Sequence, residues 1–120
     1  MLIAMTGSSG FVGRALSQRL WEAGHTVVPL SREIGSLPNV DAIVHLGGES
    51  IAGRWTAGRR RAILGSRVEG TRRLVDRMGQ AEQRPGVFLC ASGAGYYGDR
   101  PGERLDERAV PAWARDGRAS

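Results

Sequence analysis

Thr6-Gly7-Ser8-Ser9-Gly10-Phe11-Val12-Gly13 constrains this chain more than any other stretch. It follows a short apolar run, Leu2 to Met5, that reads as a buried strand. It leads into a segment where Val12, Ala15, Leu16, Leu20 and Ala23 recur at helical spacing, with Gly24 as the stop. A strand that turns into a helix through three glycines points unblocked backbone amides, and the positive end of a helix dipole, at one spot. That arrangement suits a pyrophosphate. Gly7 permits the turn off the strand, Gly10 lets phosphates approach with no Cβ in the way, and Gly13 lets the helix lie close to the sheet. With them, Ser8, Ser9, Phe11 and Val12 make up the expected cofactor-binding loop. A glycine triplet alone is weak; its place at the first strand-to-helix corner, with another strand following, gives it weight.

Thr26 to Leu30 is that second strand, rich in β-branched residues, and Ser31 to Asn39 is a loop with Gly35 and Pro38. Ala42 to Leu46 reads as a third strand closed by Gly47-Gly48, and Ala57 to Gly79 as a helix. In that helix Leu64, Val68, Thr71, Val75 and Met78 form the expected core face, with arginines opposite. Val87 to Ala91 is a fourth strand, followed by the glycine-rich loop Ser92 to Gly98. Near-continuous apolar strands alternating with helices predict an α/β fold: an open parallel sheet of about four strands, covered by helical faces at 12–23 and 64–78. Residues 1–99 form the expected dinucleotide-binding domain and residues 100–120 an irregular, disordered tail.

The end of the second strand commonly selects the cofactor: an acid binds a ribose 2′-hydroxyl, an arginine accommodates a 2′-phosphate. Ser31-Arg32 stands there, and a guanidinium offers a planar, charged fork. NADP is therefore expected over NAD, with Glu33 as the residue that would serve the ribose instead. Leu46, Gly47 and Gly48, at the end of the third strand, complete the expected cofactor contacts. Arg54 and Trp55 follow the same strand end and are candidates for the pocket. His45, inside an apolar strand, reads as a satisfied core residue.

All 17 basic residues are arginine, against 12 acids. Seven of them, from Arg59 to Arg77, sit in the second helix without interleaved aromatics, so a solvated face is expected rather than a nucleic-acid surface. One cysteine, Cys90, rules out an internal disulfide and a Cys-based zinc site, and no carboxylate cluster joins His25 and His45, so no metal is expected. No apolar run approaches the ~20 residues of a membrane span, and the start lacks the form of a signal peptide, so a cytoplasmic location is expected.

The glycine loop resembles that of the extended short-chain dehydrogenase/reductase superfamily, the NAD-dependent epimerase/dehydratase family. Val40 to Thr56, containing Gly48-Glu49-Ser50-Ile51-Ala52-Gly53-Arg54-Trp55, then Ser66-Arg67-Val68-Glu69-Gly70-Thr71, then Ala91 to Asp99 with Gly95-Tyr96-Tyr97-Gly98-Asp99, narrow the resemblance. They are similar to a nucleoside-diphosphate-sugar epimerase-like branch of cell-division-inhibitor type, over roughly residues 1–108. The resemblance implies a Rossmann fold holding NADP or NAD, and a small carbonyl or nucleotide-sugar substrate. It also implies Ser92 in the catalytic serine's place, with Tyr96 as a further candidate in the loop beyond. The superfamily's Tyr-x-x-x-Lys pair has no counterpart, since the chain contains no lysine; Tyr96 and Arg100 mimic only its spacing. Arg67 stands where the superfamily often has an active-site asparagine, and Arg32 to Asp41 is too short for the usual third strand.

The leading expectation is a truncated, partial Rossmann domain that binds NAD(P), without the superfamily's proton shuttle. The alternatives are a non-catalytic fragment or interaction module and, more distantly, an arginine-rich nucleic-acid binder. An open sheet lacking a partner half is also expected to expose apolar surface and self-associate.

Overall fold

A computed structural model describes residues 1–115 of the chain; the end of the expected tail, 116–120, lies outside the described residues. The strands are β1 (Leu2–Thr6), β2 (Thr26–Leu30), β3 (Ala42–His45) and β4 (Val87–Cys90). Between them run α1 (Phe11–Glu22) and α2 (Ala57–Gln80). All pairings are parallel and the order is β2-β1-β3-β4, which is the expected open α/β sheet. Residues 31–39 form no strand, so β2 lies at one edge and β4 at the other.

The pleat sorts the central strands into two half-cores. Ile3, Met5, Ala42 and Val44 point to one face, where Leu16 and Leu20 of α1 pack. Ala4 and Ile43 point to the other, where they meet Val40 and the fully buried Leu74 of α2. One helix thus covers each face, as right-handed crossovers require. Ile34 and Leu37, from the loop after β2, pack into the α2 half-core with Met78.

Both helices bury narrower or rotated faces than their spacing suggested. On α1, Val12, Ala15 and Ala23 are exposed, and contact runs through Gly13, Leu16 and Leu20. On α2 the buried residues are Ile63 and Leu74, whereas Leu64, Val68 and Val75 are exposed. Thr71 and Met78 do face inward, at the border of the two stripes. The stripe turned toward the sheet also carries Ser66, Gly70 and Thr71, all half-buried. The stripe of Leu64, Val68 and Val75, with Val87 and Leu89 on the β4 edge, leaves apolar surface in solvent.

The chain forms two compact units, divided after Cys90. The second begins at Ala91 and contains a 3₁₀ turn over Ala94–Tyr97 and a short helix, α3 (Ala112–Arg115). Both fall where no regular structure was expected, since four residues carry no readable period. Gly98, at φ +73°, closes the 3₁₀ turn; a Cβ there would lie 2.9 Å from the Ala112 Cβ. Arg100 is held by the Val110 carbonyl and by Glu103 at 3.6 Å. No helix among the described residues is long and apolar enough to cross a membrane.

Candidate functional site

The connections out of β1 diverge. One leads through α1 to β2; β3 lies on the other side of β1. In open parallel sheets the crevice at such a switch point, beyond the carboxyl ends of the strands, is where ligands bind. Here it opens between Thr6-Gly7 and His45-Leu46-Gly47.

The three glycines hold this corner by different means. Gly7 adopts φ +71°, and a Cβ on it would lie 2.8 Å from the Leu46 carbonyl carbon, so β1 and β3 leave the sheet nearly in contact. At Gly13 a Cβ would fall 2.1 Å from the Gly7 carbonyl oxygen. Its small size therefore serves the loop itself, not the approach of helix to sheet that the sequence suggested. Gly10 is extended, at φ −75° and ψ 177°, and its N–H donates to the Gly7 carbonyl at 3.0 Å. A Cβ there would meet only that carbonyl, at 3.2 Å, and would otherwise project into open space.

Gly10 is also the N-cap of α1, and it has no side chain to cap with. The first helical bond is donated by Arg14 N–H to the Gly10 carbonyl, at 3.0 Å. The N–H groups of Phe11, Val12 and Gly13 precede it and receive no side-chain cap, and the first turn holds no acid. Phe11 itself is 91% exposed, so it serves the loop through its backbone. Donors without partners among the described residues, a helix dipole and a Cβ-free approach fit a pyrophosphate.

The opposite wall rests on a buried polar chain. The Gly47 N–H donates to Thr6 Oγ1 at 3.0 Å, Thr6 Oγ1 lies 2.6 Å from His45 Nδ1, and His45 Nε2 lies 2.9 Å from Thr71 Oγ1. A neutral imidazole, donating through one nitrogen and accepting through the other, satisfies both hydroxyls. Burial pushes the His45 pKa down, which keeps the ring neutral. His45 thus ties β1, β3 and α2 together as a core residue. Beyond it, Arg67 donates to the Glu49 carbonyl at 3.1 Å, and a Cβ at Gly48 would come within 3.3 Å of its guanidinium carbon. Ser66 Oγ accepts from the Glu49 N–H at 2.8 Å. These bonds fix the strand exit against α2.

Ser31, Arg32, Gly47 and Gly48 line one cavity at this switch point, together with Thr6 and His45. The structure therefore brings the ends of β2 and β3 to a common space. Leu46 turns instead into the α1 half-core. Ser8 and Ser9 lie in the loop, Ser9 exposed. Arg32 pairs with Glu49 across 3.2 Å, its own side chain 83% exposed. Glu49 and Ser66 are positioning residues to which spacing assigned no role; Thr6, which opens the glycine stretch, and Thr71, on the expected core face of α2, join them. Arg54 and Trp55 are exposed.

Ser92 and Tyr96 belong to the second unit. Ser92 is exposed, two residues past β4. Tyr96 is 46% exposed and stands edge-on to Tyr97, with ring centres 5.1 Å apart. The Arg100 guanidinium is engaged by Val110 and Glu103.

A crevice of this construction is what the dinucleotide-binding α/β domains share. Among them, the chain belongs to the NAD dependent epimerase/dehydratase family, whose family model matches residues 3–113. It is 35% identical over 112 residues to the bovine epimerase family protein SDR39U1, covering 81% of this chain and 38% of that protein. It is 34% identical over 119 residues to the epimerase family protein YfhF of Bacillus subtilis, covering 82% and 39%. Its fold superposes on the crystal structure of human SDR39U1 with NADPH at a TM-score of 0.85 and 32% identity, covering 92% of this chain and 43% of that one. A nucleoside-diphosphate sugar epimerase from Corynebacterium glutamicum gives a TM-score of 0.70 at 33% identity, covering 92% and 26%. The chain thus spans about two-fifths of the length of the curated relatives it matches.

Proposed function

We propose that this chain binds NADP through the switch-point crevice, with NAD as the weaker ligand. The observation that carries the reading is the uncapped N-terminus of α1, its Phe11, Val12 and Gly13 donors facing a loop with no side chain at Gly10. The pyrophosphate accepts from those amides, and the adenosine end extends toward Ser31, Arg32, Gly47 and Gly48. Arg32 selects the 2′-phosphate. Its exposed pair with Glu49 is worth at most about 1 kcal/mol, so a phosphate of nearly two charges displaces the carboxylate. The human relative's NADPH supports this choice.

When bound, the nicotinamide supplies hydride transfer. In this reading residues 1–99 make up the dinucleotide-binding part, its compact first unit closing at Cys90. Ser92 offers a hydroxyl to a substrate carbonyl, of a small carbonyl compound or a nucleotide sugar, and Tyr96 lines the same site. No Tyr-x-x-x-Lys pair can be assembled from a chain without lysine. Arg100, the cation next to Tyr96 in spacing, is engaged by Val110 and Glu103. Binding without appreciable turnover is the expected behaviour, and the exposed apolar residues of α2 and β4 favour self-association.

Titration with NADPH and NADH, followed by calorimetry, tests the reading: saturable NADPH binding is expected, tighter than NADH. Absence of saturation up to about 1 mM NADPH, a binding energy weaker than ~4 kcal/mol, would refute it. NADPH oxidation is then followed with a panel of carbonyls and nucleotide sugars. Turnover that disappears in Ser92→Ala and Tyr96→Phe would promote the chain from binder to enzyme.

A further inference from the structure

The arginines of α2 read from the sequence as a solvated face, and most of them are exposed. One is placed differently. We propose that Arg73 is a second cation for the NADP 2′-phosphate, closing on it from α2 while Arg32 closes from the end of β2. The inference rests on the dinucleotide reading above and assigns a specificity-determining residue within it.

The geometry follows from the missing third strand. Because β2 is an edge strand, the loop after it crosses directly to α2, where Ile34 and Leu37 pack into the half-core of Leu74 and Met78. That packing lays Arg32 beside the middle of α2. Two cavities meet there and share three lining residues: Arg32, Ile34 and Arg73. The inner one reaches back to Gly47 and Gly48 at the switch point. The outer one, about 540 Å³, runs along α2 to Gln80, a size within the usual range for small-molecule sites. The inner one is small, about 80 Å³, room for a phosphate group and not for a whole adenosine, so a 2′-phosphate presented there lies at the junction of the two.

Charge at the junction favours an anion. Arg32 and Arg73 are the charged residues lining the inner cavity, and no carboxylate lines it. In the outer cavity three arginines face two acids, Glu33 and Asp76. Gly70, one helical turn before Arg73, lines the inner cavity too, and its lack of a side chain leaves room beside the guanidinium. The Arg73 guanidinium has no hydrogen-bond or ion-pair partner among the described residues, whereas its neighbour Arg72 pairs with Glu69 at 2.9 Å. Two guanidinium forks on one phosphate provide charge-assisted bonds that a ribose hydroxyl cannot use.

The test is Arg73→Gln in the whole chain, with NADPH and NADH titrated against wild type and against Arg32→Ala. Arg73 is exposed, so the variant is expected to fold, which circular dichroism and the NADH affinity itself report. NADPH affinity is expected to fall at least tenfold while NADH affinity stays within about twofold, and Arg73→Lys is expected to recover part of the loss. Equal losses for the two dinucleotides, or no loss for either, would overturn the role of Arg73 while leaving dinucleotide binding intact. Binding of neither dinucleotide by the wild type would overturn both claims together.

Discussion

The two long helices of the first unit begin in opposite ways. α2 caps itself: Thr56 Oγ1 accepts from the Arg59 N–H at 3.1 Å, and the Arg59 side chain folds back onto the carbonyls of Ser50 and Ala52. α1 starts at Gly10, which has nothing to cap with, directly after a turn so tight that Gly13 tolerates no side chain. Neither first turn carries an acid, so the cap is what separates them. One helix caps its own donors with Thr56; the other has no side-chain cap. In the proposed reading the open helix end at the switch point is the site, and the closed one is scaffold.

The largest effect expected from pressing on this contrast is on folding. Gly13→Ala places a methyl 2.1 Å from the Gly7 carbonyl oxygen, so the start of α1 must shift. About 3 kcal/mol of stability should be lost. The matching change near the start of α2, Gly58→Ala, meets nothing within 4 Å and should raise stability by about 0.5 kcal/mol. Urea midpoints measure both. The same sign for the two substitutions would show that the glycine loop is not the tight corner described.

A second substitution turns the start of α1 into one like that of α2. Gly10→Asp supplies a carboxylate that caps the free amides, set against a Cβ 3.2 Å from the Gly7 carbonyl oxygen, so stability should stay within about 1 kcal/mol of wild type. The same carboxylate occupies the pyrophosphate's place and repels it. NADPH affinity is expected to drop about a hundredfold, or ~2.7 kcal/mol. A folded variant that binds NADPH as well as wild type would mean that the amides of α1 are not the anion site.

The smallest effect belongs to the closed helix. Thr56→Ala should cost about 1 kcal/mol of stability and leave NADPH affinity unchanged. A fall in affinity comparable to that of Gly10→Asp would erase the distinction between scaffold and site.

Much of this was legible along the chain. The glycine loop, the edges of the strands and the arginine after β2 depend on neighbours within a few residues, and local spacing reports them directly. Tyr96 and Arg100 show the limit, since their superfamily-like spacing says nothing of the Glu103 and Val110 contacts that engage Arg100.

What only tertiary structure decided begins with α2. Ile63, Leu64, Val68, Leu74 and Val75 fill two adjacent stripes of that helix, and a period of 3.6 residues cannot choose between stripes that overlap. The sheet chose the one with Gly70 on it, burying Ile63 and Leu74 and exposing Leu64, Val68 and Val75. The same rotation set Thr71 against His45 and placed Arg73 on the cavity of Arg32. The sequence by itself determined that a tight glycine corner would open α1, because three glycines and a helix start lie within eight positions of one another. Which residues close around it depended on packing between segments some forty positions apart, a long-range matter of shape that no local period encodes.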